Sequence, residues 1–145
     1  MRIFITKIFL IALLTSLSAG EAFAQTRVVL ANGIGKSELS VDELKNVFKP
    51  KFNKWPNGVA VVIVLPGQAS ALKEGVASDI YNSTFSGVQK YWLSLVFQGR
   101  FDAPYFFDSD EEVIRFVSKT KGAIGFVSAD AQAPESLIIR IRPNP

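Results

Sequence analysis

The chain has 145 residues, with 16 Lys and Arg against 13 Asp and Glu, and neither cysteine nor histidine. Without cysteine there are no disulfides and no thiolate metal sites, so the fold must rest on packing alone; without histidine the usual general base, the Ser-His-Asp triad and the common zinc ligand are all missing. A net charge of +3 tolerates anions but supplies no extended basic track for nucleic acid.

Residues 1–24 read as an export signal. Arg2 and Lys7 form a basic start, Ile8 to Leu14 is an uninterrupted apolar run, and Ala22-Phe23-Ala24 is an A-x-A cleavage pattern. The run is too short for a membrane span, which needs about 20 residues. Cleavage after Ala24 is expected to release a soluble periplasmic chain, residues 25–145, without stable membrane insertion. No cysteine follows the apolar run, so a lipid-modified N-terminus is excluded. The mature chain is long enough for one domain.

From Thr26 the sequence alternates strand and helix signals. TRVVLA (26–31) is a β-branched run closed by Asn32-Gly33 and predicts a buried strand. Ser40-Val41-Asp42-Glu43 is a capping box opening a short helix whose apolar side is Val41, Leu44, Val47 and Phe48. FKPKFNKWPNG (48–58) interleaves lysines with aromatics, and its prolines and Asn57-Gly58 make it a loop ending in a tight turn. VAVVIVLP (59–66) predicts a strand buried on both faces. A helix is expected from about Ala69 to Asn82. Another runs from Ser86 to about Gln98, with Val88, Tyr91, Trp92, Leu95 and Val96 on a core-facing stripe. DSDEEVIRFVSKTKG predicts a helix with acids at its start, Lys119 near its end and Gly122 as its cap. AIGFV and LIIRI close the chain as strands. This order implies an α/β fold with a mainly parallel sheet flanked by helices.

Several short motifs resolve to turns. GIGKS (33–37) ends like a phosphate-binding P-loop, but Leu30 stands where that motif needs its first glycine. DSDEE (108–112) resembles the start of a calcium loop, but Val113 occupies the position that requires glycine, and a helix N-terminus explains the acids. NST (82–84) is a glycosylation sequon, without consequence in a bacterial host. In the lysine-rich loop, Phe48 and Trp55 can pack inward while Lys49, Lys51 and Lys54 stay solvated. An anion site there remains open at this stage. No nucleophile–base pair is visible, so no catalytic residue, metal site or cofactor is assigned and the chain is read as a non-enzyme.

Three segments carry a resemblance: LSVDELKNVFKPKFNKWPNG, YWLSLVFQG and VSKTKGAIGFV. In this order they resemble the small exported proteins related to phosphate-transporter substrate-binding proteins, within the type 2 periplasmic binding protein superfamily. The resemblance covers nearly all the mature chain and implies roughly one lobe of a two-lobed clamshell. It also implies binding of phosphate or another small oxyanion by hydroxyls and backbone N–H groups at a helix start, helped by an arginine. Here the matching stretch is LPGQASALKEG. Leu65 or Pro66 stands in place of the arginine, and Ala69-Ser70-Ala71 in place of a hydroxyl-rich turn. The candidate ligand groups are therefore Gly67, Gln68, Ala69, Ser70 and Ala71, with Lys73 one turn in. Weak oxyanion binding, across a homodimer interface or alone, is one expectation. The alternative is an envelope interaction protein that keeps the scaffold without the ligand, partnered by a transporter or sensor. Whether a second protein supplies the other lobe is left open.

Overall fold

The computed structural model describes residues 26–145; the expected signal peptide lies outside the described residues. Six strands form one sheet: β1 (Thr26–Leu30), β2 (Glu38–Ser40), β3 (Val62–Pro66), β4 (Tyr105–Phe107), β5 (Ala123–Ser128) and β6 (Ile138–Arg142), in the order β2-β6-β1-β5-β3-β4. Four helices accompany them: α1 (Val41–Phe48), α2 (Lys73–Tyr81), α3 (Phe85–Phe97) and α4 (Asp110–Lys119). The pairs β3/β4, β3/β5 and β2/β6 are parallel. Only β1 runs antiparallel to its neighbours, β5 and β6. The mainly parallel α/β architecture expected from the sequence is therefore present.

The alternation of side chains along the strands divides the core into two layers. Val28, Leu30, Ile63, Leu65, Ile124 and Phe126 face α1, α2 and α3 and pack with Leu44, Phe48, Ile80 and Trp92. Val29, Val64, Ala123 and Val127 face the other way, against Val113 and Val117 of α4. Helices on both faces make the sheet dry, which is why β3 and β5 read as continuous apolar runs rather than alternating ones.

Two buried indoles fasten the layer that holds α1, α2 and α3. Trp92 Nε1–H donates to Tyr81 Oη at 2.9 Å, and Tyr81 O–H donates to the Phe48 carbonyl at 2.8 Å, so α3, α2 and α1 meet at one hydroxyl. Burial pushes that hydroxyl far above the usual phenol range, and it remains a protonated donor. Trp55 Nε1–H donates to the Gly122 carbonyl at 2.9 Å and pins the lysine-rich loop to the start of β5. Gly122 has φ +80°, and a Cβ there would overlap the Ala60 carbonyl. Only glycine fits that crossing.

The structure corrects several sequence-based boundaries. The expected strand 59–66 enters the sheet only at Val62. Before it, Ala60 bridges Lys54 and Val61 N–H donates to Asn53 O at 3.0 Å, so these residues pair with the loop instead. The helix expected from Ala69 starts at Lys73, because residues 67–72 are held in turns. Val96, expected in the core stripe of α3, is 37% exposed; Val88, Trp92 and Leu95 are the buried members. The cap of α4 falls at Thr120, two residues before Gly122. The three-residue strands β2 and β4 carry too short a pattern to predict.

The capping box is present as expected: Ser40 Oγ accepts from Glu43 N–H at 3.1 Å, and Ser40 N–H donates to Glu43 Oε2 at 2.7 Å. That backbone donor holds the Glu43 carboxyl below its ordinary value, with Lys36 and Arg142 adding to the effect.

Three outcomes follow for stability. Tyr81→Phe leaves the Trp92 N–H and the Phe48 carbonyl buried without a partner, at about 1–3 kcal/mol for each orphan. Urea unfolding should show that loss, and Trp92→Phe added to Tyr81→Phe should cost less than it does alone, since the orphaned donor goes with it. Ser40→Ala should cost about 1 kcal/mol. The stabilisation from Glu43 is complete above its unfolded-state pKa and is lost as pH falls through its lowered folded value. Glu43→Gln should therefore flatten the acid limb of a stability-versus-pH curve.

Candidate functional site

The three parallel strands β3, β4 and β5 point their carboxyl ends to one edge of the sheet, the place where open α/β sheets bind ligands. The segment that leaves β3 there is Gly67 to Lys73, the stretch the sequence marks as the candidate site. The structure brings Gly67, Gln68, Ala69, Ser70 and Ala71 into one tight turn ahead of α2, and places Lys73 as the first residue of that helix.

Most polar groups in the turn already have an internal role. Gly67 N–H donates to the Phe107 carbonyl at 2.7 Å, and Ser70 N–H donates to the Gly67 carbonyl at 3.0 Å. Ala69 N–H donates to Asp108 Oδ1 at 3.1 Å. Ser70 Oγ accepts from Leu72 N–H at 3.1 Å, which leaves the hydroxyl proton as its remaining donor. The Lys73 ammonium donates to the Gln68 carbonyl at 2.7 Å and stands 5.3 Å from the centroid of the Phe85 ring. Gln68, Ala69 and Ala71 are exposed on the rim, while Gly67 is buried. A Cβ on Gly67 would overlap Asp108 Oδ1 and crowd the Phe107 carbonyl carbon at 3.2 Å. The strand-to-turn junction is therefore built around the close approach of Asp108.

Asp108 was not among the candidates. It lies 39 residues from Ala69 in sequence, at the far end of β4, and nothing local links the two. Its own N–H donates to Glu112 Oε2 at 3.2 Å, and Ser109 Oγ caps α4 by accepting Glu112 N–H at 3.2 Å. Asp110 Oδ1 accepts from Ser128 N–H at 3.0 Å at the end of β5. The acidic start of α4 thus does more than complement the helix dipole: its carboxylates fasten the carboxyl ends of the strands to one another. Among the described residues no group of three or more acids is placed to hold a metal ion.

The electrostatic consequence is direct. An oxyanion at this edge meets Asp108, Asp110, Glu111 and Glu112, with Lys73 as the cation in the turn itself. Two like charges at 4 Å near a protein surface repel by about 4 kcal/mol before salt and solvent reduce the effect. Asp108 is exposed, so the reduction is substantial. The carboxylate nonetheless takes an N–H that an incoming anion would need.

No family model matches the chain, and neither does any curated protein sequence. Solved structures match it across most of its length. A human phosphate binding apolipoprotein superposes with a TM-score of 0.62 at 17% identity, covering 81% of this chain and 38% of that one. PstS from Borrelia burgdorferi gives 0.56 at 13% identity, covering 83% and 49%. An ABC-type phosphate transport receptor from Vibrio cholerae gives 0.53 at 16% identity, covering 83% and 48%. The chain spans less than half the length of each. This likeness shows the fold, that of a periplasmic-binding-protein-like lobe.

Gly67→Ala tests the geometry of the turn. It should destabilise the protein by about 1–3 kcal/mol, the usual cost of overpacking. In an Asp108→Ala background the same substitution should cost measurably less by urea titration, since one of the two obstacles has been removed.

Proposed function

We propose that the protein is a non-enzymatic, exported solute-binding-like lobe that takes phosphate or another small oxyanion weakly at the 67–73 turn, in competition with its own Asp108. The bond from Ala69 N–H to Asp108 carries this reading. A carboxylate oxygen already accepts from this turn amide at the carboxyl ends of parallel strands, which supports the turn as a receiver of oxyanion geometry. The donors for an external ligand are Ser70 Oγ–H, the turn amide released by Asp108, and Lys73. Charge-assisted hydrogen bonds contribute about 1.5–3 kcal/mol each. Two of them without an arginine or a second lobe correspond to about millimolar affinity. The similarity to phosphate-binding proteins supports the ligand class, and the fold supports a binding rather than a catalytic role.

A second reading is favoured by a different observation. Leu93, Val96 and Phe97 form an exposed apolar row on α3, with Phe97 83% exposed. Such a row suits an envelope interaction protein, partnered by a transporter or sensor, that retains the scaffold after the anion site has closed.

Calorimetric titration of the purified protein with phosphate and then sulfate at low salt separates the two. Weak heat with phosphate is expected, strengthened by Asp108→Asn and diminished by Ser70→Ala. No heat from either the wild type or Asp108→Asn at millimolar phosphate overturns the oxyanion reading and leaves the interaction scaffold.

A further inference from the structure

The opposite end of the sheet carries the lysine-rich loop, which the proposed site does not use. Lys49, Lys51 and Lys54 are all exposed there. The carboxyl end of α4 joins them. Trp55 and Val62 both donate to the Gly122 carbonyl, at 2.9 and 3.0 Å, so exposed Lys119 and Lys121 flank the same loop. None of these five lysines is in an ion pair among the described residues.

Two of the five have a local explanation. Lys49 and Lys119 stand at the ends of α1 and α4, where cations complement the helix dipole. Lys51, Lys54 and Lys121 lie beyond the helices and have none. Between Lys51 and Lys54, Phe52 is 39% exposed, with its ring 6.4 Å from that of Trp55. It lines a groove of about 300 Å³ together with Pro50, Phe101 and Tyr105. Asp42, Asp79 and Asp102 are the nearby acids, Asp42 and half-buried Asp79 in the cleft that holds Lys45, Lys49 and Lys51, and Asp102 on the groove wall. Three acids, one of them facing Lys45 as well, do not offset the five solvated ammonium groups. The acids at the far end of β3, Asp108 to Glu112, give the molecule a charge polarity along the strand direction.

We propose that this end is a peripheral docking face for an anionic lipid bilayer, with the five lysines over the headgroups and Phe52 entering the interface. The chemistry of the cations selects this occupant. All five are lysines, point charges on flexible stems that do not fix a planar partner as arginine does. They suit a fluid surface of phosphodiester groups better than a shaped protein epitope. Each lysine close to an anionic leaflet contributes about 1 kcal/mol. An exposed phenylalanine flanked by lysines is the pairing that interfacial segments use. The acidic end then faces away from the membrane, and electrostatics alone orients the molecule.

Vesicle sedimentation tests this on the purified protein. Vesicles of phosphatidylcholine with about one third phosphatidylglycerol should bind it at low salt, and pure phosphatidylcholine should not. Salt at about 0.5 M should release it. The Lys49→Glu/Lys51→Glu/Lys54→Glu variant should bind at least about a hundredfold less, following from three contributions of about fivefold each. Phe52→Ser, with every charge intact, should weaken binding by a smaller factor. Lys90→Glu/Arg115→Glu, on the middle stretches of α3 and α4, should leave it close to the wild type. Circular dichroism and thermal melts confirm that the variants are folded. The proposal is overturned by equal sedimentation with both vesicle types, by no sedimentation with phosphatidylglycerol at low salt, or by undiminished binding of the triple variant.

Discussion

The hydroxyl of Tyr81 joins three helices at one buried point. It accepts from Trp92 on α3 and donates to the last carbonyl of α1, while its own ring fills space at the end of α2. Apolar packing alone would allow these helices to slide, because hydrophobic contact has no direction. A buried hydrogen-bond chain in a low-dielectric interior does have direction, and leaving it unmade is costly. The relative placement of α1, α2 and α3 is therefore set at one point. So is the path of the chain into the lysine-rich loop, which leaves from Phe48, the acceptor residue itself. Tyr91 packs edge-on against both Tyr81 and Trp92, which leaves the chain little room to rearrange.

The carboxyl edge of the sheet follows a different logic. There the strands end in main-chain donors, and the protein supplies the anions from its own acidic residues. Asp108 reaches the turn after β3, Asp110 reaches the end of β5, and Glu112 reaches back to Asp108 itself. The site is thus held together by the same kind of bond an external oxyanion would make. On the oxyanion reading proposed above, a ligand would exchange with the Ala69–Asp108 contact, and its gain there would be the difference between two similar interactions.

Much of this was legible in the residues, and what was missed has a common cause. The capping box at Ser40 and Glu43, the inward packing of Phe48 and Trp55, and the buried run of β3 depend on spacing within a few residues. The α/β class followed from the alternation of such local signals. The start of α2 was misplaced because Asp108, far along the chain, holds Ala69 out of the helix. The first residues of the 59–66 run were misplaced because Asn53 and Lys54 compete for them. Val96 lies on the expected stripe, yet among the described residues it is left exposed. Pattern arguments state which face a residue occupies and not whether a partner arrives to cover it. The role of Asp108 was hidden for the same reason: its acidity has an adequate local explanation at the start of α4, and only the fold shows the second one.

The position of β1 has a consequence for how the molecule comes into being. The first described strand lies in the middle of the sheet, and its partners are the last two, with Thr26 opposite Ser128 and Val28 opposite Ile139. The central pairing therefore cannot form until nearly the whole chain is available, and closing so long a loop before any reward makes folding slow. No early fragment can complete the sheet around β1. A chain of this topology gains its central pairing only as its final strands arrive, so the middle of the sheet is the last part of it to be completed.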